Sequence, residues 1–320
     1  ALEVAVPVIG NTQFEATRVF SLRVTEPASG RVLDTAIAEI ADDDTPAGVS
    51  LPMELSARWQ WSHYAVRAHE AWNLATGRGV KVGVFDQGID ALHPDLARNI
   101  QAGLGLTPVT GGGGGLPVRA SDNHGTAVAG VIGGARDGSG IVGMAYNATL
   151  VPIYSTLAAN ALAANDATAA FRYAQNVDVL NNSWGFGGLL SSGTNWAFLD
   201  NARSPQFAPA FEALEKLAQQ GRQGLGTVVV QAAGNGFDVG DDTNLHNFQN
   251  SRYVITVGAT GFGGKAAEYS ATGASVLVAA PGGTSGGGWG SILTTDRLGA
   301  AGYNDTGFVW SEGTSCAAPL

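Results

Sequence analysis

Four polar residues stand out along the chain: Asp86, His124, Asn235 and Ser315, in that order. Ser315 lies in Glu312-Gly313-Thr314-Ser315-Cys316-Ala317-Ala318-Pro319-Leu320, between a small-residue turn and an Ala-rich run able to begin a helix. Backbone N–H groups at a helix start point outward and favour negative charge. Attack of a serine on a carbonyl creates an oxyanion that such donors stabilise, but serine is a weak nucleophile without a neighbouring base. His124, in Asp122-Asn123-His124-Gly125-Thr126, can be that base, and the small residues after it suit a closely packed helix with the imidazole at its start. Asp86, in Val84-Phe85-Asp86-Gln87-Gly88, directly follows a buried-type strand, where a carboxylate is costly unless it has a partner. Asn235 stands between Gly234 and Gly236 after another apolar run, and its side-chain amide can donate to an oxyanion. Each segment alone also reads as an ordinary turn or cap. Together they point to acyl transfer by an activated serine.

The elements that must position these residues follow from periodicity. Residues 80–85, 177–180 and 227–230 read as buried strands. Residues 167–175 read as a helix with Asp166 at its N-cap, and residues 210–220 as an amphipathic helix. In the second helix Phe211, Leu214, Leu217 and Ala218 share one face, and Gly221 ends it. Alternation of strands and helices implies an α/β fold, a parallel sheet with helices on both faces, whose sites lie at the carboxyl ends of strands. Asp86 and Asn235 both occupy such ends. The first 44 residues differ: residues 20–24 and 36–40 alternate as strands around Pro27-Ala28-Ser29-Gly30, and Asp42-Asp43-Asp44 closes them. The chain therefore divides into residues 1–44, a Pro/Gly linker at 45–56, and a large domain at 57–320.

Composition narrows the function. The chain has 320 residues, 45% of them hydrophobic, and no apolar run of membrane-spanning length. A net charge of −10 argues against nucleic acid as a partner. One cysteine excludes an internal disulfide. Cys316 reads as a small buried residue rather than a nucleophile. The glycine run 111–115 lacks the Lys-Ser/Thr of a phosphate loop and reads as a flexible insertion. His63, His69 and His93 lack metal-ligand spacing and read as structural or exposed.

The order Asp, His, Ser is that of the subtilisin triad. With Val84-Phe85-Asp86-Gln87-Gly88-Ile89, His124-Gly125-Thr126, Ala233-Gly234-Asn235-Gly236 and Gly313-Thr314-Ser315, residues 51–320 resemble a subtilisin-like serine peptidase. His93-Pro94-Asp95-Leu96, Gly143-Met144-Ala145-Tyr146-Asn147-Ala148, Asn181-Asn182-Ser183-Trp184-Gly185 and Asn250-Ser251-Arg252-Tyr253-Val254 resemble its kexin-like branch. The resemblance implies Ser315 as nucleophile, His124 as general base and then acid, Asp86 as its orienting partner, and Asn235 with the Ser315 N–H as the oxyanion hole. It implies that Ser183-Trp184-Gly185 pairs with a polypeptide substrate as an added strand. It implies structural Ca²⁺, with Asp95 and Asp137 around one ion and Asp241 at a calcium-linked position. It also implies a secreted or cell-surface setting.

Two departures bear on specificity. Where the kexin-like branch carries acidic residues, this chain has Phe186-Gly187-Gly188-Leu189-Leu190, and a pocket aspartate is replaced by His246. Cleavage is therefore not expected to be confined to basic residues. Residues 1–44 resemble the C-terminal hairpin of a Calx-beta domain, whose terminal aspartates can bind calcium; the same triplet reads equally as a solvated acidic linker. Two rivals remain. One is a catalytically weak or dead subtilase fragment acting as a binding or adhesion module. The other is an α/β-hydrolase, which would need a Gly-x-Ser-x-Gly elbow and the order Ser, Asp, His. Only five residues follow Ser315, so the peptidase domain reads as incomplete at its C-terminus, with other domains of a longer chain expected and the nucleophile on a poorly ordered end.

Overall fold

The computed structural model describes residues 18–25, 32–40, 59–101, 103–108, 112–157, 161–185 and 200–320. The two alternating stretches near the start form β1 (Arg18–Thr25) and β2 (Val32–Ile40), which pair antiparallel with Ser21 opposite Ile37. The turn at 27–30, the Asp42-Asp43-Asp44 triplet and the linker at 45–56 lie outside the described residues, as do Phe186 to Leu190.

Short helices α1 (Trp61–Ala65) and α2 (Ala68–Ala71) precede β3 (Lys81–Asp86). They carry the buried His63 and His69, and burial pushes the imidazole of each down to about 4. A one-turn helix, α3 (Pro94–Ala97), follows His93, whose Nδ1 accepts the Asp95 N–H. Next come β4 (Leu106–Thr107) and β5 (Gly112–Gly113), paired antiparallel. The glycine run expected to be a flexible insertion is thus partly strand. Its missing side chains let the backbone pass where a Cβ on Gly115 would fall 2.1 Å from the Pro152 carbonyl oxygen.

Helix α4 (His124–Gly133), β6 (Thr149–Tyr154), α5 (Ala161–Tyr173), β7 (Val179–Asn182), α6 (Ala208–Gly224) and β8 (Val228–Ala232) give the expected alternation. Helix α5 starts earlier than expected because Ala161-Leu162-Ala163-Ala164 are strong helix formers. Asp166 is therefore interior, not a cap. Its buried carboxylate accepts from Ser155 Oγ at 3.3 Å and Thr156 N at 3.4 Å, tying the end of β6 to the helix. Regular helical geometry in α6 fails at Gly221, where the sequence placed the end. Strands β9 (Ile255–Thr260), β10 (Val276–Pro281), β11 (Ile292–Thr295) and β12 (Phe308–Ser311) precede the final α7 (Thr314–Ala317).

One sheet has the order β10-β9-β8-β7-β3-β6-β4-β5, parallel from β10 through β6, while β11 and β12 form a separate antiparallel pair. Side chains alternate across the sheet. On one face Phe85, Ile153, Leu180 and Val229 pack against Phe171, Leu214 and Leu217 of α5 and α6. On the other Val82, Val84 and Leu150 meet Val128, Ala129 and Ile132 of α4, while Ala232 and Val257 meet Ala317 and Ala318. Asp86 has the parity of Val82 and Val84. Its side chain is thereby directed to the face that carries α4 and α7, the two helices with His124 and Ser315. Among the described residues no helix is long and apolar enough to cross a membrane.

Candidate active site

Asp86 ends β3, Ser183-Trp184-Gly185 follows β7, and Asn235 follows β8. These strands are neighbours in the order β3-β7-β8, so the three segments meet at one carboxyl edge. Asp86 is fully buried, and its Oδ1 and Oδ2 lie 2.8 and 3.0 Å from His124 Nδ1. The costly carboxylate at a strand end therefore has its partner. Oδ1 also accepts the Gln87 N–H at 2.7 Å, while Gln87 Oε1 accepts the His124 N–H at 3.3 Å. A proton held on Nδ1 by the carboxylate leaves Nε2 with its lone pair. Partial burial depresses the imidazole's basicity, but the charge and hydrogen bond of Asp86 outweigh it and raise the His124 pKa above its ordinary value. Close packing sets the imidazole's place: a Cβ on Gly125 would fall 2.3 Å from the Gly88 carbonyl oxygen. Thr294 and Thr295 of β11 donate to the Ala127 and Thr126 carbonyls from the side.

Ser315 is the second residue of α7. The expected poorly ordered end is instead packed: Thr314, Cys316 and Ala317 are buried against Val131, Ile292 and the β8–β10 strands. Cys316 is the buried core residue expected, its thiol pushed up to about 11 by burial. Two hydrogen bonds tie Ser315 to the chain after β7, Ser183 Oγ to the Ser315 carbonyl at 2.9 Å and Ser315 Oγ to the Ser183 carbonyl at 3.0 Å. The Ser315 hydroxyl proton thus points to Ser183 and not to His124, and must be redirected before the imidazole could accept it.

Asn235 is oriented by a residue the sequence reading passed over. Its Oδ1 accepts both the Thr314 N–H and the Thr314 hydroxyl, each at 2.9 Å. A backbone N–H can only donate, so the oxygen of the amide must face Thr314 and the NH₂ must face away. Thr314 Oγ1 also accepts the Gly234 N–H at 3.1 Å. Gly313, at φ 128°, keeps this space open, since a Cβ there would lie 3.0 Å from Asn235 Nδ2. Among the described residues the Ser315 N–H has no hydrogen-bond acceptor, so two donors are available beside the hydroxyl.

Ser315, Asn235, Trp184, Gly185, Asp241, His246 and Gln249 border one cavity of about 270 Å³. Trp184 packs edge-on against Phe85 and Phe248, and its carbonyl accepts from Gln231 Nε2. Asp241, expected at a calcium-linked position, lies with its Oδ1 2.6 Å from His246 Nε2. Burial lowers the basicity of His246, but the hydrogen bond and charge of Asp241, with Asp200 and Asp242, outweigh it and raise it. Gln249 gave no linear signal; only the turn at 246–251 brings it to the cavity.

Asp95 and Asp137 share the loop at 135–141. Asp95 is buried, Oδ2 accepts the Ile141 N–H at 2.8 Å, and its carbonyl accepts the Ala135 N–H at 2.7 Å. The loop closes so tightly that a Cβ on Gly140, at φ 62°, would fall 2.0 Å from Asp95 Oδ2. Asp137 is exposed and accepts the Ser139 N–H at 3.2 Å. Among the described residues no three His, Cys, Asp or Glu side chains gather into a metal cluster.

Residues 77–320 match the profile of the Subtilase family. The chain is 30% identical over 256 residues to neuroendocrine convertase 2 of Homo sapiens, covering 78% of this chain and 38% of that one. It is 33% identical over 248 residues to a calcium-dependent protease of Trichormus variabilis, covering 73% and 34%. It thus spans well under half the length of these relatives. Among solved structures, a protease of Pseudoalteromonas arctica superposes with a TM-score of 0.65 at 28% identity, covering 84% of each chain. A profile match over most of the chain, on an edge that unites Asp86, His124, Asn235 and Ser315, shows that the chain belongs to the subtilase family of serine peptidases.

Proposed function

We propose that this chain is a serine endopeptidase that cleaves polypeptides through an acyl-enzyme on Ser315. The observation that carries the reading is the convergence, at one carboxyl edge of the sheet, of the Asp86–His124 pair after β3, Ser315 tied to Ser183 after β7, and the fixed Asn235 amide after β8. In the proposed cycle Ser315 Oγ attacks the scissile carbonyl and its proton passes to His124 Nε2. Asp86 stabilises the imidazolium and does not itself take the proton. The oxyanion is met by Asn235 Nδ2 and the Ser315 N–H. Collapse breaks the C–N bond, and His124 gives its proton to the leaving amine. Water then repeats the sequence on the ester and frees Ser315. Ser183-Trp184-Gly185 continues beyond the end of β7 beside the nucleophile, which suits pairing with an extended substrate backbone.

The same reading extends to calcium. Asp95, closed in by the loop at 135–141, offers a buried carboxylate beside turn carbonyls, the oxygen chemistry that Ca²⁺ takes. Asp95, with Asp137 at the loop's rim, would hold the ion, and the ion would stabilise the loop. One relative's name carries calcium dependence. Placement in the kexin-like branch, a Calx-beta origin for residues 1–44, the linker at 45–56, further domains of a longer chain, and a secreted or cell-surface setting belong to this proposal too; the convertase relative supports the first of these. A fluorophosphonate probe tests the core of the reading. The wild-type protein is labelled at Ser315 and hydrolyses a casein-derived fluorogenic peptide pool, and Ser315→Ala loses both. Hydrolysis undiminished in Ser315→Ala removes the reading.

A further inference from the structure

We propose that Tyr269 is a positioning residue that sets the spacing of the two oxyanion donors, holding the Asn235 turn through its backbone carbonyl and the turn before Ser315 through its hydroxyl. This rests on the serine-peptidase reading. The two donors belong to different elements: Asn235 follows β8, while the Ser315 N–H lies at the start of α7. An oxyanion hole works because its donors stand in place before charge develops, so their separation must be held by a group that touches both turns.

Residues 261–275 connect β9 to β10. Two backbone hydrogen bonds join this connection to the Asn235 turn. The Tyr269 carbonyl accepts the Phe237 N–H at 3.1 Å, and the Ala271 N–H donates to the Gly234 carbonyl at 2.9 Å. Asn235 is thereby held from both sides, one residue before it and two after. The contact at Gly234 is close, since a Cβ there would lie 3.6 Å from the Ala271 Cβ.

The side chain of the same residue reaches the other donor. Tyr269 Oη accepts the Gly313 N–H at 3.0 Å, two residues before Ser315. Its proton lies between the carbonyl oxygens of Gly282 and Gly283, at 2.7 and 2.8 Å, just past the end of β10. The Gly313 N–H also reaches the Gly282 carbonyl at 2.9 Å, so the hydroxyl, Gly282 and Gly313 close one network. It has no spare room: a Cβ on Gly282 would fall 2.8 Å from the Gly313 carbonyl oxygen and 3.0 Å from Tyr269 Oη. Burial pushes the hydroxyl well above its ordinary pKa, so it stays protonated and both donates and accepts. The half-buried ring packs on the cluster that contains Ala232, Ala317 and Ala318, which keeps it in place between the two turns.

The test removes one oxygen. Tyr269→Phe keeps the ring and the backbone carbonyl and loses the hold on Gly313. With one fluorogenic peptide, kcat per fluorophosphonate-titrated site should fall about tenfold while KM stays within about twofold. The Ki of a peptidyl trifluoromethyl ketone, which forms an oxyanion on Ser315, should rise by the factor by which kcat/KM falls. In an Asn235→Ala background the same substitution should cost less than about threefold, because the pair of donors it spaces is already broken. The acid limb of kcat/KM should stay in place, since the Asp86–His124 pair is untouched. A kcat equal to wild type, a loss of equal factor in both backgrounds, or a displaced acid limb overturns the proposal and leaves the peptidase reading intact. A lowered Tm with unchanged kcat per titrated site gives Tyr269 a purely structural role and overturns it too. Wild-type protein that neither cleaves peptide nor is labelled takes down both.

Discussion

The two halves of the candidate site are built on different terms. On the side of β3 and α4, Asp86 is fully buried and each oxygen is engaged, by His124 and by the Gln87 N–H. On the side of Asn235 to Gln249, Gln249 Oε1 and His246 Nδ1 are buried without partners among the described residues. The Asp86–His124 pair is satisfied within the protein, although Asp122 Oδ1 and Asn123 Oδ1 just before His124 are themselves buried without partners among the described residues. The polar groups beside Asn235 are held more loosely, Gln249 Nε2 making a 3.5 Å contact with the Ala232 carbonyl. Tight hydrogen bonding is thus concentrated on the carboxylate–imidazole pair itself and not spread over the elements that carry it. Thr314 sits at the seam: adjacent to the nucleophile, it holds Asn235 through both its N–H and its hydroxyl.

The sharpest way to break this comparison is to disturb the satisfied side. Asp86→Asn should lower kcat by about 10⁴-fold, as loss of the orienting carboxylate does in other triads, equally for every substrate tested. The same variant has a pH signature. The base must be unprotonated, so kcat/KM rises with pH through the His124 pKa. With Asp86 present that pKa lies above the ordinary 6.5, and the acid limb should have its midpoint above this value. Without the carboxylate, burial alone remains and the midpoint should move to lower pH. An acid limb that stays in place on substitution would show that another group titrates.

A smaller loss is expected at Asn235. Removing one oxyanion donor by Asn235→Ala should cost about 10²–10³-fold in kcat with little change in KM, measured under saturating peptide. Smaller again is Thr314→Val, which keeps the N–H to Asn235 and loses only the hydroxyl. That hydroxyl makes two hydrogen bonds, to Asn235 and from the Gly234 N–H. With about 1–1.5 kcal/mol of Asn235 positioning lost, kcat should fall about tenfold. A loss as large as that of Asn235→Ala would mean that Thr314 acts directly on the substrate. Least affected should be chemistry, and most affected stability, when calcium is removed. EGTA should lower Tm by a few degrees through loss of binding to the folded state, and Asp95→Ala should abolish that sensitivity. A Tm indifferent to EGTA rejects the calcium proposal.

Much of this site was readable in the chain itself. Asp86 and Asn235 could be located because each follows an apolar run whose length and β-branched content mark a buried strand, and sites in parallel sheets lie where such strands end. His124 was legible from the small residues that follow it, and the structure shows why they are needed, with Gly125 packed against the Gly88 carbonyl. The end of α6 at Gly221 was legible for a similarly local reason. The start of α5 was not. Asp166 has the chemistry of a cap, and its true role, accepting from Ser155 and Thr156, depends on where β6 ends in space.

Order along the chain marked the candidate reacting groups, because a nucleophile, its base and their partners are chemically distinctive residue types at strand and helix ends. It also placed a histidine, residue 246, eleven positions after Asn235. What that histidine does was decided only by the fold. The turn that follows β8 carries Asp241 Oδ1 and His246 Nε2 to within 2.6 Å of each other. The direction of the Asn235 amide and the attachment of Ser315 to Ser183 were likewise beyond sequence alone. Hydrogen bonds between residues 79 and 132 positions apart depend on three-dimensional closure, and nothing in local periodicity encodes them.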